Sequence, residues 1–210
     1  MINLHQFTLG PLDNNSFLLA DEGSKEAFII DPSFDPKPIL DTVREQGLSV
    51  KAILLTHAHF DHIAGIGYLY ALLPQPLDIG LSNLDAPLYA NSGNDMLYGF
   101  NIGELPYVTL HLSHGQNLTL GSEKIAVRSV PGHTPGHVLF YIPSIGAALC
   151  GDLIFKSGVG RTDLPGGEFE TLIASIQTQV FTLPCETILY PGHGPETTVM
   201  DEMDNNPFLQ

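Results

Sequence analysis

The chain has 210 residues, of which 43% are hydrophobic, and a chain of this size and composition can bury a substantial core. Its 8 Lys and Arg residues against 23 Asp and Glu residues give a formal net charge of −15 at pH 7. This charge argues against nucleic-acid binding, which needs clustered basic residues to hold the phosphate backbone. No apolar stretch approaches the roughly 18 residues of a membrane-spanning helix, so we expect no membrane span.

Several features of the sequence favour a single cytoplasmic domain that spans residues 1–210. The N-terminal stretch, MINLHQFTLG, contains no basic residue and no long apolar segment, so we do not expect a secretion signal there. Cys150 and Cys185 are too few for a disulfide framework, and Cys150 is predicted to be a small buried hydrophobe. No Ser- or Gly-rich linker divides the sequence.

The first third of the chain predicts an alternation of strands and helices. Strands are expected in NSFLLA and EAFIID, with DEGSK as the turn between them. The next segment, DPKPILDTVREQG, predicts a helix with Asp35 as N-cap, Pro36 at the first helical position and Gly47 just past its end. A strand covered on both faces is expected in VKAILLT, which is short and almost wholly apolar. A second helix, predicted to start near Ile63, carries YLYALL.

The remainder of the chain predicts an irregular region followed by a run of strands. From Pro74 to about Tyr107, frequent Gly, Pro and Asn residues predict a covering over the site, with a strand in LDIGLS and a short helix in LDAPLY. Strands are then expected in VTLHL, QNLTL, KIAVRSV, HVLFYI, AALCG and, last, ETILY. Before the last strand, EFETLIASIQTQV predicts a helix with one apolar face, formed by Phe169, Leu172, Ile173, Ile176 and Val180. This order suggests two packed sheets flanked by helices.

Four of the apolar strands end in polar residues beside Gly or Pro. These ends are THAHFDH at 56–62, VPGHTPGH at 130–137, LCGD at 149–152 and LYPGHGP at 189–195. Gly and Pro shape tight turns that hold a side chain at a sheet edge with little freedom. Imidazole and carboxylate are ligands that suit zinc, iron and manganese, so these turns predict a metal site.

The spacing of the first cluster favours a site for two ions. His57 and His59 lie two residues apart in an extended turn, so their side chains can point the same way. Asp61 and His62 follow at a helix entrance and can serve a second ion. A site with two ions about 3.5–4 Å apart needs a bridging group, and an aspartate such as Asp152 can give one oxygen to each.

Not every histidine is expected to bind metal, because a lone histidine is more often structural. We assign structural roles to His5, His111 and His114, and also to His137, although His137 lies close to His133 in the sequence. The HxHxDH cluster is different. Its burial without metal would leave several polar groups unpaired, at a cost of several kcal/mol in total.

These motifs give the sequence a resemblance to the metallo-β-lactamase superfamily, whose signature is HxHxDH followed by a distant His, Asp and His. Within that superfamily, GRTDLPGG at 160–167, YPGHGPETT and NNPFL resemble the small glyoxalase II-like hydrolases. The resemblance covers most of the chain and is weakest between Pro74 and Tyr107. Ser33 departs from it, since the family usually has glycine there. The resemblance implies an α/β fold, a four-layer αββα sandwich, with the metal site at one edge of the two sheets.

The resemblance also implies a role for each ligand. His57, His59 and His133 are similar to the ligands of the first metal, and Asp61, His62 and His193 to those of the second. Asp152 is similar to the residue that bridges them. We therefore expect two divalent ions, zinc first, with iron or manganese as alternatives.

A binuclear site of this kind favours hydrolysis. Two ions lower the pKa of bound water, so that a hydroxide held between them is a nucleophile at neutral pH, with Asp61 and Asp152 as the predicted catalytic residues. The resemblance to glyoxalase II implies a thioesterase that hydrolyses S-2-hydroxyacylglutathione or a related small-molecule thioester. The main alternative is a persulfide dioxygenase, which uses one iron, O₂ and a similar GRTD stretch. A β-lactamase, a ribonuclease and a non-catalytic metal-binding protein are less favoured.

Arg161 is the predicted substrate-binding residue. Glyoxalase II enzymes hold glutathione with a basic residue after the bridging aspartate, and Arg161 matches that position. Two tyrosines that assist it in the family are replaced by Asp163 and Pro195, and the sequence ends at Gln210, without the family's helical C-terminal domain. We therefore expect weak glutathione binding, with an ion pair to Asp163 as the alternative role of Arg161. The oligomeric state is left open.

Overall fold

Apolar strands build two six-stranded sheets in the computed structural model, which describes residues 1–210. The N-terminal sheet contains β1 (Ile2–Leu9), β2 (Asn14–Asp21), β3 (Glu26–Ile30), β4 (Ser49–Leu54), β5 (Asp78–Ser82) and β6 (Leu110–Leu112), and its strands are ordered as in the chain. The first three strands are antiparallel, and β3 to β6 run parallel to one another. The carboxyl ends of β3 to β6 therefore meet at one edge of the sheet.

The C-terminal sheet has a different strand order. It contains β7 (Asn117–Leu120), β8 (Glu123–Ser129), β9 (Val138–Ile142), β10 (Ala147–Gly151), β13 (Ile188–Pro191) and β14 (Thr197–Thr198). Its order is β14-β13-β10-β9-β8-β7, and β10 pairs in parallel with β13. Two short strands that lie between β10 and β13 in the sequence, β11 (Ile154–Phe155) and β12 (Gly158–Val159), form a separate hairpin.

Six helices flank the sheets. They are α1 (Lys37–Glu45), α2 (Phe60–Ile63), α3 (Ile66–Leu72), α4 (Ala86–Ala90), α5 (Phe169–Ser175) and α6 (Val199–Asn205). Short 3₁₀ turns lie at Asn83–Asp85, Ser92–Tyr98 and Pro143–Ile145, and a π-helical turn at Ile176–Val180 continues α5. No helix is long and apolar enough to cross a membrane. The cytoplasmic location stays a prediction.

The apolar side chains divide into layers because successive residues of a strand face opposite sides of the sheet. In β2, Phe17 and Leu19 point between the two sheets and meet Phe140 and Leu149 in a fully buried cluster, whereas Leu18 points outward to the helices on the N-terminal side. A third cluster joins the C-terminal sheet to α5. The order of layers is therefore helix, sheet, sheet, helix, which confirms the predicted αββα sandwich.

Two predicted helix boundaries are wrong. The first helix has Pro36 rather than Asp35 at its N-cap position, without a side-chain cap, because Asp35 adopts a left-handed conformation with φ 54°. Gly47 does follow this helix with the predicted positive φ. The second helix begins at Ile66, after a separate turn of helix at Phe60–Ile63.

The apolar face predicted for the helix at 168–180 is correct except at one end. Leu172, Ile176 and Val180 are fully buried, but Phe169 is 42% exposed. The predicted set lacks β1, the two strands of the β11–β12 hairpin, β14 and α6. β1 is an edge strand with mixed exposure, and the others are short, so the sequence carries little periodic signal for them.

Candidate metal centre

The turns that follow four strands gather the predicted ligands at one edge of the two sheets. His57, His59, Asp61 and His62 follow β4, and His133 lies between β8 and β9. Asp152 follows β10 directly, and His193 follows β13. The turn after β13 is also tied to the N-terminal sheet, because the Asn15 backbone N–H donates to the Gly192 carbonyl at 2.7 Å.

The first group consists of His57, His59 and His133, whose ligand atoms lie within 4.8 Å of one another. Nδ1 of His59 is 2.9 Å from Nε2 of His133. All three side chains are buried, and Nε2 of His57 has no hydrogen-bond partner. A buried nitrogen without a partner is costly unless another group binds it, so this group fits a metal ion.

The second group consists of Asp61, His62 and His193, and its ligand atoms also lie within 4.8 Å of one another. Oδ2 of Asp61 is 3.3 Å from Nε2 of His193 and 3.7 Å from Nε2 of His62. Nε2 of His62 is buried and has no hydrogen-bond partner. This group also fits a metal ion, with one carboxylate and two imidazole ligands.

Asp152 lies between the two groups. Its Oδ2 is 3.8 Å from Nε2 of His133 in the first group and 3.7 Å from Nε2 of His193 in the second. Its Oδ1 lies 3.3 Å from Nε2 of His62, yet neither atom has a hydrogen-bond partner. A carboxylate placed in this way can serve both groups, as a bridging residue must.

Asp31 orients two of the histidines through a buried network. Its carboxylate accepts hydrogen bonds from the Thr56 hydroxyl at 2.6 Å and from Nδ1 of His62 at 3.1 Å. Because the Thr56 hydroxyl donates to Asp31, its oxygen is free to accept from Nδ1 of His57, 3.0 Å away. Both rings then present unprotonated Nε2 atoms to a metal. Asp31 is absent from the predicted site, although its place after the apolar strand EAFII is a usable signal.

Asp85 fastens the two turns that carry the first group. This carboxylate is 1% exposed and accepts hydrogen bonds from the Ala58 backbone N–H at 3.1 Å, the Thr134 hydroxyl at 2.8 Å and the Gly136 backbone N–H at 2.6 Å. Ala58 separates His57 from His59, and Thr134 follows His133. Burial raises the pKa of Asp85, while the three hydrogen bonds act to lower it. Sequence reasoning missed this residue.

Backbone carbonyls orient His133 and His193, and an amide orients Asp61. Nδ1 of His133 donates to the Arg161 carbonyl at 2.7 Å, and Nδ1 of His193 donates to the Leu12 carbonyl at 3.0 Å. The Asn14 amide donates to Asp61 at 2.7 Å. Each of these bonds fixes a ligand in the tautomer or orientation that metal binding requires.

The protonation states of His57, His59 and Asp61 also suit a metal. Burial lowers the pKa of His59 to about 3 and that of His57 well below its ordinary value, so both rings are neutral at pH 7. Burial opposes ionisation of Asp61, but His62 and His193 outweigh it and lower the pKa of Asp61 to about 2. Neutral imidazole and ionised carboxylate are the forms that bind divalent ions. Burial acts to lower the pKa of His62, but Asp152 and Asp61 outweigh it and raise that pKa, so this ring must lose a proton when a metal binds.

The other histidines lie outside the two groups. His5 and His111 belong to β1 and β6, and His114 accepts a hydrogen bond from the Ser129 backbone N–H. His137 is fully buried with its ring centroid 4.9 Å from that of His57, and neither of its ring nitrogens has a hydrogen-bond partner.

Two cavities open onto the ligands. The first, about 390 Å³, is lined by Leu12, Phe60, Tyr98, Leu164, Arg161 and ligands from both groups. The second, about 520 Å³, shares Asp152, Arg161 and His193 with the first and adds Phe155, Lys156, Val159, Gly194 and Pro195. Arg161 forms a two-point ion pair with Asp163, with N–O distances of 2.7 and 2.8 Å. The predicted ion pair is therefore present, with Arg161 also at the border of both cavities.

These features define a class: αββα proteins with a divalent metal centre at one edge of the sheets. The family model described as the Metallo-beta-lactamase superfamily matches residues 9–193, and the chain belongs to this superfamily. It is 38% identical to the probable metallo-hydrolase YqgX of Bacillus subtilis, over 96% of this chain and 94% of that protein. It is 31% identical to the hydroxyacylglutathione hydrolase GloC of Haemophilus influenzae, over 99% and 98%.

A relative with a different named activity is comparably similar. Human mitochondrial persulfide dioxygenase ETHE1 is 33% identical over 92% of this chain and 70% of that protein. Among solved structures, the BLEG-1 B3 metallo-β-lactamase has a TM-score of 0.89 and 36% identity, covering 99% of this chain and 100% of that one. TTHA1623 in a di-iron-bound form has a TM-score of 0.88 and 40% identity, covering 98% and 100%. The family and the ligand groups support divalent metal binding.

Proposed function

We propose that the protein is a metal-dependent thioesterase that hydrolyses S-2-hydroxyacylglutathione or a related small-molecule thioester. The observation that carries the proposal is the placement of Asp152, whose carboxylate faces histidines of both ligand groups at the floor of a cavity. His57, His59 and His133 would hold one ion, and Asp61, His62 and His193 the other. Asp152 would contact both.

When bound, the two ions supply Lewis acidity, which polarises an acyl carbonyl and makes water a nucleophile near neutral pH. The chain supplies the rest. Asp61 and Asp152 orient the attacking water, and the buried ligand turns keep its position fixed. The water gives up one proton to solvent, its oxygen bonds to the acyl carbon and the carbon–sulfur bond breaks, so the products are a carboxylic acid and a thiolate that keeps the electron pair. A thiol with a pKa of about 8.5 leaves as the thiolate without a general acid.

The similarity to GloC over nearly the whole of both chains supports this proposal. We expect zinc first as the bound metal, with iron or manganese as alternatives, and the di-iron form of TTHA1623 favours testing iron early. Persulfide dioxygenase is the second candidate, because the identity to ETHE1 is similar to the identity to GloC. β-Lactam hydrolysis is a third arm of the test because of the likeness to BLEG-1.

A three-substrate assay on protein with its own metals tests the proposal. Thioester hydrolysis should release acid and thiol in equal amounts, consume no O₂, stop with chelator and return with added zinc, iron or manganese. Persulfide-dependent O₂ uptake without thioester turnover would establish the dioxygenase instead. Hydrolysis of β-lactams alone would reject both.

Arg161 is proposed to bind the carboxylate of a charged thiol such as glutathione. A guanidinium can hold a carboxylate at two points, but Asp163 already occupies this fork, so glutathione should bind weakly. Arg161→Ala should raise KM several-fold for a glutathione thioester and less than twofold for a small neutral thioester. Lys124→Ala, which removes a distant exposed cation, is the matched control. Equal changes in KM for the two substrates would contradict the role of Arg161.

A further inference from the structure

The segment Ser92–Phe100 crosses directly over the turn that carries His59. Gly93 has φ +63°, and a Cβ at this position would lie 2.2 Å from the Phe60 backbone nitrogen and 2.6 Å from the Ala58 carbonyl oxygen. Only glycine allows this approach. Asp95 is buried and accepts hydrogen bonds from the backbone N–H groups of Met96 and Ile102. The segment therefore packs closely on the ligand turn, and Asp95 holds its shape.

This segment places aromatic rings against Phe60, which follows His59 in the sequence. The Tyr98 ring stacks on Phe60 with centroids 5.0 Å apart and an interplanar angle of 23°. Phe100 stacks on Phe60 in the same manner, at 5.1 Å and 24°. We call Phe60, Tyr98 and Phe100 the aromatic shelf. Phe60 is 4% exposed, whereas Tyr98 is 42% exposed and forms part of the first cavity wall.

The two cavities suit different parts of a thioester, because one has apolar walls and the other has two basic side chains. The first has apolar walls from Leu12, Leu164, Phe60 and Tyr98, and Phe100 packs behind Phe60. Lys156 lines only the second, where it joins Arg161. These two are among only 8 Lys and Arg residues in the chain. A charged thiol is therefore matched to the second cavity, which leaves the first cavity for the acyl arm.

We propose that the aromatic shelf selects thioesters with a large apolar or aromatic acyl group, and that Tyr98 is its specificity-determining residue. This inference rests on the proposed function. A ring or alkyl chain placed on Tyr98 removes apolar surface from water and gains ring-to-ring contact. A two-carbon acyl group attacked at the metals is too short to gain comparable contact.

Two thioesters of N-acetylcysteamine, with acetyl and phenylacetyl groups, test the proposal on the metal-loaded enzyme. The unmodified enzyme should prefer the phenylacetyl ester. Tyr98→Ala should raise KM for that ester by roughly tenfold and for the acetyl ester by less than twofold, with metal content unchanged. Tyr98→Phe should retain the preference. Tyr107→Ala removes a tyrosine that is 91% exposed outside both cavities, and it should change neither KM.

A second measurement separates failure of this inference from failure of the proposed function. The ketone analogue of the phenylacetyl ester, in which a methylene replaces sulfur, is titrated by calorimetry. Tyr98→Ala should weaken its binding by roughly tenfold, whether or not thioesters are turned over. If no thioester is turned over but Tyr98→Ala still weakens binding of the ketone, the thioesterase proposal is rejected and the role of the aromatic shelf is retained. Equal effects of Tyr98→Ala on both esters, or unchanged ketone binding, overturn the shelf.

Discussion

The two ligand groups are built from the same residue types but are supported differently. The first group is wholly buried, and Asp31 and Asp85 act on it through Thr56 and through the backbone of its turns. In the second group the side chain of His193 is 28% exposed, and a carbonyl of the N-terminal hairpin holds it. Asp31 thus supports both groups, since it also accepts a hydrogen bond from His62, but Asp85 supports only the first group, and the second group is partly exposed at His193. A substitution that acts on one group should therefore change the metal affinity of that group more than the affinity of the other.

Chelation removes both ions and should have the largest effect on stability and activity. Binding to the folded state alone stabilises it by about 4 kcal/mol when free metal is a thousandfold above its dissociation constant. For a chain of this length we expect the Tm to fall by roughly 10 °C, together with complete loss of turnover. Differential scanning fluorimetry and assays with and without chelator measure both. An apo protein of unchanged activity would remove the metal mechanism.

Asp152→Ala should reduce metal content more than His62→Ala, because Asp152 faces both groups and His62 belongs to one. We expect less than one equivalent of metal in the first variant and about one in the second, on the two-ion scheme. Elemental analysis after identical dialysis measures the difference. Two retained equivalents in Asp152→Ala would show that the aspartate does not bridge.

Asp85→Asn should weaken the first group selectively. The amide keeps the size of the carboxylate but turns an NH₂ group toward one of three donors, so the turns that carry His57, His59 and His133 lose a fixed position. Residues that support metal ligands typically contribute ten- to a hundredfold in affinity, and we expect that loss for one of two equivalents in a cobalt(II) titration followed by absorption.

Asp95→Asn is the matched control for Asp85→Asn. Asp95 is also a buried carboxylate that accepts backbone hydrogen bonds, but its donors, Met96 and Ile102, lie within seven residues of it and carry no ligand. Its loss should lower the Tm and leave both cobalt affinities within about twofold. Equal losses of affinity in the two variants would assign Asp85 a general structural role.

Cys150→Ala should have the smallest effect and should touch neither group. Cys150 is fully buried on β10, and burial raises the pKa of its thiol to about 12, so it holds no thiolate at pH 7. We expect a loss of about 1 kcal/mol in the free energy of unfolding from lost packing, with metal content and activity unchanged. Cys185→Ala, at an exposed position, is the control. A folded, metal-loaded Cys150→Ala protein without activity would contradict this prediction.

The sequence predicted what is encoded locally. All seven candidate ligands lie in segments that directly follow or join apolar strands, so strand pattern and residue type predicted where they gather, and the family resemblance assigned each one a role. Asp85 could not be found in this way, because its three partners lie 27, 49 and 51 residues away. The same holds for Tyr98, which reaches Phe60 only because Gly93 lets the irregular segment cross the ligand turn. The wrong N-cap at Asp35 reflects a local left-handed conformation that residue type alone does not specify.

Position 161 has a double attachment with consequences for how such proteins diverge. Its carbonyl oxygen accepts from His133, while its side chain borders both cavities. Mutation replaces the side chain and leaves the carbonyl in place, so, on the proposed role of Arg161, a change of substrate preference at this position would leave the orientation of His133 intact. The backbone of residue 161 thereby supports the ligand site, while its side chain is free to vary with the proposed substrate. A new substrate preference could then evolve by substitution at position 161 without loss of the hydrogen bond that orients His133.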